Sequence, residues 1–450
     1  SKVDLVVLRR GQLIVGDGRL QVDFGGSRAN AAGTLSYDTV SGNAKVGVSF
    51  DDVYLPDLAR QGERFVPFEG VELQLAGTLQ FTVGSGGELS DVSYSVSTSS
   101  GFLDFSETFA ERLPVVRATA HGTLKWATSE AEVDELAIDL GGTLVTAQGL
   151  GHFPRGSMPA FAGEVRVLDL PLRRLPAVWP VGIGGSAREW VASRVGDGRI
   201  TEANVKIDGL GQSEAPKELG FTGDFTFSEM SIDYMDGLPP VTSMSGRGRI
   251  DKGQLDIEIA RADLNGIEIS EATLELTGLS DLEQDASAAF VLRGQLEKVL
   301  AILDAPALDF VRVQGLPTDE ISGAVAARVQ VKLPITDQGT PIEAVNFAAA
   351  ANLVDVRGSL PFAETAFDRG TLALRLDRNG FDVDGTIFVK DTPVAVRWRQ
   401  DLDGNNTASR YLLRTQIDEA GRKRFGLDTN GVVDGFVDVS IDAAVDRGNL

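Results

Sequence analysis

From Val71 to Val83 apolar residues and glycine occupy alternate positions (Val71, Leu73, Leu75, Gly77, Leu79, Phe81, Val83), and mostly polar residues, among them Glu72, Gln74, Thr78, Gln80 and Thr82, fill the others. A period of two marks a strand with one apolar and one polar face. The alternation returns at Leu255/Ile257/Ile259, Ile267/Ile269, Leu372/Leu374/Leu376, Phe381/Val383/Ile387/Val389 and Val394/Val396/Trp398. Asp17-Gly18, Asp197-Gly198, Asn265-Gly266, Asn379-Gly380 and Asn430-Gly431 stand between such runs and predict tight hairpins, which need positive φ. At a spacing of about 10 to 15 residues the pattern predicts on the order of 30 strands, mostly antiparallel.

Helical signals are few. Ser186-Ala187-Arg188-Glu189 reads as a capping box opening a helix through Trp190, Val191 and Arg194, and Leu296, Val299, Leu300 and Leu303 share one helical face. Strands run into short connectors at Leu55, Leu170, Leu296 and Ile417, at intervals of 115, 126 and 121 residues. A near-constant period predicts repeats stacked in one direction. The exits at Gly315-Leu316 and Gly426-Leu427 agree. The expected units are 1–60, a partial β repeat ending in a Leu-Pro connector; 61–197, a repeat with a Leu/Pro/Trp connector and short helix; 198–315 and 316–428, each a repeat with a connector; and 429–450, the start of another.

A one-sided apolar sheet must cover its face, because exposed apolar area costs roughly 25 cal/mol per Å². The predicted helices are too few to do so. Two arrangements remain: β-sandwiches that seal against each other, or one sheet whose apolar face lines a groove for an apolar ligand. Sandwiches predict units of roughly 100 residues joined by linkers, and no Ser/Gly/Pro-rich linker occurs. The expected fold is therefore mainly β: a long, curved, largely antiparallel repeat sheet, or β-groove, with a few short connector helices.

Composition narrows the chemistry. The 42 Lys and Arg against 65 Asp and Glu give a net charge of −23, which opposes binding to nucleic acid. With no cysteine and only His121 and His152 among 450 residues, thiolate metal sites and histidine-based hydrolysis lose their ligands and bases. No catalytic residue, metal site or cofactor is expected. No run reaches the roughly 18 apolar residues of a membrane span. The chain starts at Ser1 without Met and ends in mid-pattern, so it reads as a fragment or processed product.

The stretch Val165–Leu172, then Leu175-Pro176-Ala177-Val178-Trp179-Pro180, Ala187–Val191 and Gly198-Arg199-Ile200, resembles the central segment of bacterial AsmA-like proteins of the YhdP type. A second block, Leu296–Leu303 with Pro306-Ala307-Leu308 and Gly315-Leu316, is similar to a recurring block of that family. The two blocks cover about 70 residues. The resemblance implies a periplasmic bridge-like lipid transfer protein, anchored in the inner membrane, that carries phospholipid acyl chains toward the outer membrane and supports its lipid homeostasis. It implies phospholipids as cargo, membranes at the two ends of the full-length protein, and a periplasmic or outer-membrane protein as a further partner. The chain has no anchor helix. The other reading is a structural or adhesive β-repeat protein with a sealed core.

The expected groove lining is Leu73, Leu75, Leu79, Phe81, Ile257, Ile259, Leu372, Leu374, Leu376, Val383, Ile387, Val389 and Val396; the same residues would form the core of ordinary sandwiches. Leu170, Pro171, Trp179 and Trp190 form the expected connector, where the indoles sit at a groove edge or dock a helix on the sheet. Asp401–Asn406 lacks the spacing of a calcium loop and reads as a hairpin turn; Gly182–Ser186 fits no phosphate-binding pattern and reads as a helix start. Arg422-Lys423-Arg424 is a candidate for weak contact with anionic head groups.

Overall fold

The computed structural model describes residues 2–23, 27–62, 69–105, 109–125, 127–152, 160–181, 185–210, 221–251, 253–279, 284–308, 320–335, 344–360, 365–401, 409–427 and 432–445. The Gly182–Gly184 run, Gly315-Leu316, the 402–406 turn and Asn430-Gly431 lie outside these residues, and so do the side chains of Ser186 and Ala187.

The first strands are β1 (Lys2–Arg10), β2 (Leu13–Asp23), β3 (Arg28–Asp38), β4 (Ala44–Tyr54), β5 (Val71–Glu72), β6 (Gln74–Val83), β7 (Val92–Thr98), β8 (Gly101–Leu103), β9 (Leu113–Val115), β10 (Arg117–Lys125), β11 (Glu130–Asp139), β12 (Leu144–His152) and β13 (Ala160–Pro171). They are followed by β14 (Arg199–Leu210), β15 (Phe221–Ile232), β16 (Val241–Asp251), β17 (Gln254–Leu264), β18 (Ile267–Thr277), β19 (Gln284–Gln295), β20 (Ser322–Ile335), β21 (Asn346–Leu360), β22 (Thr365–Asp377), β23 (Gly380–Val389), β24 (Thr392–Asp401), β25 (Ser409–Ile417) and β26 (Val437–Val445). Short helices stand between them: α1 (Leu55–Ala59), α2 (Leu175–Val178), α3 (Gly185–Arg194), α4 (Leu296–Leu303) and α5 (Glu419–Arg424). The protein is mainly β, and 23 of these strands form one open antiparallel sheet; β5, β8 and β9 form a separate small one.

The chain divides into two compact units, 1–228 with 249–252, and 229–248 with 253–450. In the first, the ladder runs β1-β2-β3-β4-β6-β7-β10-β11-β12-β13-β14-β15, every pair antiparallel. In the second it runs in chain order from β17 to β26. Sequential neighbours with short turns are what a meander of alternating strands produces.

Turn chemistry explains several joints. Asn265 (φ 55°) and Gly266 (φ 79°) both take the left-handed conformation that a two-residue hairpin between β17 and β18 demands. Lys390 (φ 48°) and Asp391 (φ 61°) do the same between β23 and β24, without the glycine that would have announced it. One expected turn is corrected. Asp17-Gly18 lies inside β2, where Asp17 pairs with Val6 and Gly18 with Leu5. The reversal before it uses Gly11 (φ 63°) instead. Gly18 needs no positive φ; it sits with Leu5 close beside it on a continuous strand.

A second device recurs near the strand ends that face the connectors. The register shifts at Phe50/Val53, Ser270/Thr273, Val354/Val356 and Asp368/Thr371, each with a polar residue of positive φ: Asp52, Glu271, Asp355 and Arg369. Such a bulge inserts one residue and bends the strand. The apolar set therefore steps by three there, and Val354 is 46% exposed while Val356 is 2% exposed.

Candidate functional site

Strand register assembles the alternating residues into rows. In the first unit one row passes through Val3, Leu20, Ala31, Phe50, Gly77, Val96, Ala120, Leu136, Ala147, Val165, Val205 and Gly223, and the next through Leu5, Gly18, Gly33, Val48, Leu79, Tyr94, Gly122, Val133, Gly149, Gly163, Ile207 and Phe221. In the second unit the rows are Gly294, Val325, Leu353, Leu372, Gly385, Val396, Leu413 and Ile441, and Leu292, Ala327, Ala351, Leu374, Val383, Trp398, Tyr411 and Ala443. Ile257, Leu274, Ala288, Val331 and Phe347 form another. No charged residue stands in any of these rows.

The opposite face is charged and cross-linked by exposed ion pairs: Lys206 to Glu164 at 2.9 Å, Arg247 to Glu258 at 2.6 Å, Arg397 to Asp384 at 3.0 Å and Arg410 to Asp442 at 2.8 Å. The hydrogen bond from Lys206 holds the Glu164 carboxyl below its ordinary pKa, and the bond from Arg410 does the same to Asp442. Two depressions of about 590 and 760 Å³ are lined mostly by residues of this phase, such as Glu258, Glu275 and Lys332 in one and Glu164, Arg166 and Lys206 in the other. Among the described residues no cluster of three or more His, Asp or Glu is placed to hold a metal ion, and no helix is long and apolar enough to cross a membrane.

The predicted lining residues occupy the uncharged face with different degrees of cover. Leu75, Leu79 and Phe81 on β6, Ile257 and Ile259 on β17, Leu372, Leu374 and Leu376 on β22 and Val396 on β24 are half-buried. Among the described residues none of them is sealed, although Leu372, Leu374 and Val396 lie at the edge of packed clusters. Leu73 lies just before β6 in a sealed cluster with Leu113, Val115 and Leu140, which Val71 and Leu103 of the small sheet and Val178 of α2 complete. Val383, Ile387 and Val389 are buried, the last two in a cluster with Val394 and Leu413 against which Leu372, Val396 and Phe425 pack. Register sets Leu374 opposite Val383 and Leu372 in the row of Val396; Leu75, Leu79 and Phe81 belong to the first unit and Ile257 and the later residues to the second.

Connectors close part of one end of the face. Leu296 at the start of α4 is buried against Val325, Ala327, Ala351, Leu353 and Val356, with Val299 and Leu300 packed beside it. Leu170 is buried at the end of β13, Pro171 and Trp179 are half-buried, and Trp190 on α3 is 46% exposed. Arg188 Nη2 donates to Pro176 O at 2.8 Å and ties α3 to the segment before it. The basic run is engaged by protein: Arg422, 3% exposed, donates to Gly435 O at 2.7 Å and Val433 O at 2.9 Å, Lys423 pairs with Glu419, and Arg424 reaches Thr392 Oγ1.

Sequence reasoning missed the rows themselves, since period two fixes which residues share a face of one strand but not which strand lies beside it. It also missed the aromatic group Phe381, Trp398 and Tyr411, whose alternating positions on three successive strands were its only signal.

No curated protein and no solved structure matches the chain. The family model described as "YhdP protein" matches residues 68–411, a span that takes in strands β6 to β24 and two of the connectors, those that hold α2 and α3 and α4. With that match over most of its length, the chain belongs to the YhdP family.

Proposed function

We propose that this chain is part of a bridge-like lipid transfer protein of the periplasm, in which phospholipid acyl chains travel along the uncharged face between inner and outer membrane. The observation that carries the reading is the set of uncharged rows in each unit, half-buried over much of their length, with ion pairs such as Lys206–Glu164 and Arg397–Asp384 on the other side of the strands. Acyl tails would lie across the rows while head groups stay in water. Each methylene removed from water contributes about 0.8 kcal/mol, so a tail is held firmly by the face as a whole. Similar aliphatic and small residues in successive strands give similar affinity at each step, and lateral movement then crosses low barriers. The reading needs no catalytic group and no cofactor. Membranes at the two ends of the full-length protein and a periplasmic or outer-membrane protein are its expected partners.

The sealed clusters at the connector end favour one competing reading, a structural β array. Organic extraction of the purified, detergent-free chain followed by mass spectrometry separates the two. Several phospholipids per chain support the conduit. An extract free of lipid, with no binding of a solvatochromic dye to the native fold, would leave the sealed array.

A further inference from the structure

The uncharged face changes chemistry at β23–β25. Register places Val383, Trp398 and Tyr411 in one row, and Phe381, Gln400 and Ser409 in the next. The Trp398 indole stacks on Tyr411, centroids 5.3 Å apart and planes 22° from parallel, and meets Phe381 edge-on at 4.7 Å. Gln400, 1% exposed, accepts a hydrogen bond from Ser409 Oγ at 2.7 Å. The indole as a whole is half-buried, yet its Nε1 is fully buried and has no acceptor among the described residues. An N–H kept from water without a partner is costly, so an acceptor brought to this indole would gain a hydrogen bond without breaking an existing one.

We propose that Trp398 is a recognition station for the ester carbonyl of a diacyl glycerolipid, a reading that rests on the lipid-carrying function above. An acyl chain arriving on the rows of Leu374 and Leu376 takes the place of Tyr411 against the indole. The freed ring then donates Nε1–H to the ester oxygen, one row from the buried, neutral Gln400–Ser409 pair. The chemistry selects an ester over a phosphate or free carboxylate, because these rows hold neutral hydrogen-bonding groups and no cation. The station would give the conduit one point at which lipid class is read, in contrast to the aliphatic rows before it.

The test uses the full chain with Trp126, Trp179 and Trp190 replaced by Phe, leaving Trp398 as the single indole. It is titrated with vesicles of bromine-labelled phosphatidylcholine carrying either ester-linked or ether-linked chains, and lipid per chain is quantified in parallel by extraction. The expected result is quenching of Trp398 with a midpoint about fivefold lower for the ester lipid, the worth of one neutral hydrogen bond. Where the triple substitution disturbs folding, the unsubstituted chain with Trp398→Phe as blank gives the same readout. Equal midpoints, or lipid bound without quenching, would overturn the station and leave the conduit standing. A chain that takes up no lipid in either form would overturn both.

Discussion

Arg422 is only 3% exposed, and its guanidinium is spent on main-chain carbonyls of the segment that leads into β26. Arg422 donates to both of these oxygens, and its removal breaks both bonds. Arg422→Met is expected to lower the stability of the second unit by about 2–3 kcal/mol, the worth of charge-assisted hydrogen bonds lost inside a protein, and to expose residues 432–436 to protease. Urea unfolding and limited proteolysis read the two effects; an unchanged midpoint would show that water replaces the guanidinium. At Asn265 the issue is conformation, since φ is 55°. Asn265→Val should cost about 1–2 kcal/mol, because a side chain branched at Cβ crowds the carbonyl in the left-handed region, whereas Asn265→Gly should be close to neutral. Asn-Gly was readable in the sequence as a turn. Lys390-Asp391 was not, because the pair has no glycine and Lys has no preference for positive φ; the pairing of β23 with β24 imposes it.

At the scale of elements, each strand is specified by alternation and each connector by an apolar patch with a cap. Asp418 accepts from Gly421 N at the start of α5 at 2.6 Å, and Leu296 anchors α4. Leu296→Ala is expected to cost about 2–5 kcal/mol through lost burial and the cavity left behind, measurable as a shift in the unfolding midpoint. The ion pairs of the charged face predict the pH response. Glu164 and Asp442 have folded-state pKa values below their ordinary ones. A carboxyl of this kind adds stability above its unfolded pKa and loses it as pH falls through the folded value. Their contribution should hold from neutral pH to about pH 5 and be lost progressively as the pH falls below about 4. Unfolding midpoints at the two ends of that range check it, and a fall already complete at pH 5 would contradict the assignment. Alternation alone misreads β4, β18, β21 and β22 beyond their bulges, where the inward set steps from Phe50 to Val53 or from Leu353 to Val356. A residue of unfavourable φ, held by the ladder on both sides, has no compositional signature.

For the whole molecule, the separation of ion pairs from the apolar rows across the sheet is the property on which the proposed function rests. Leu79→Asp sets a carboxylate into the half-buried row beside Tyr94, while Gln80→Asp, one residue on, points to the charged side. The first should remove most co-purifying lipid and the second little, as extraction and mass spectrometry of the two variants would show. An equal loss in both would mean that lipid does not ride on this face. Both substitutions introduce the same carboxylate on adjacent residues of β6, so the comparison isolates the face.

Much of this was settled by sequence: strand content, the one-sided face, the places where short helices interrupt the sheet, and the absence of the residues most metal and thiol chemistry requires. These depend on neighbours one to four positions apart, which period and turn chemistry record directly. Which rows line up across strands, where bulges return the apolar set to its face, which residues are sealed under connectors and which stay accessible, and how Phe381, Trp398 and Tyr411 come to meet were decided only by tertiary structure. Register between strands is a property of pairs of segments, and burial is a property of everything around them; neither is written in any single strand.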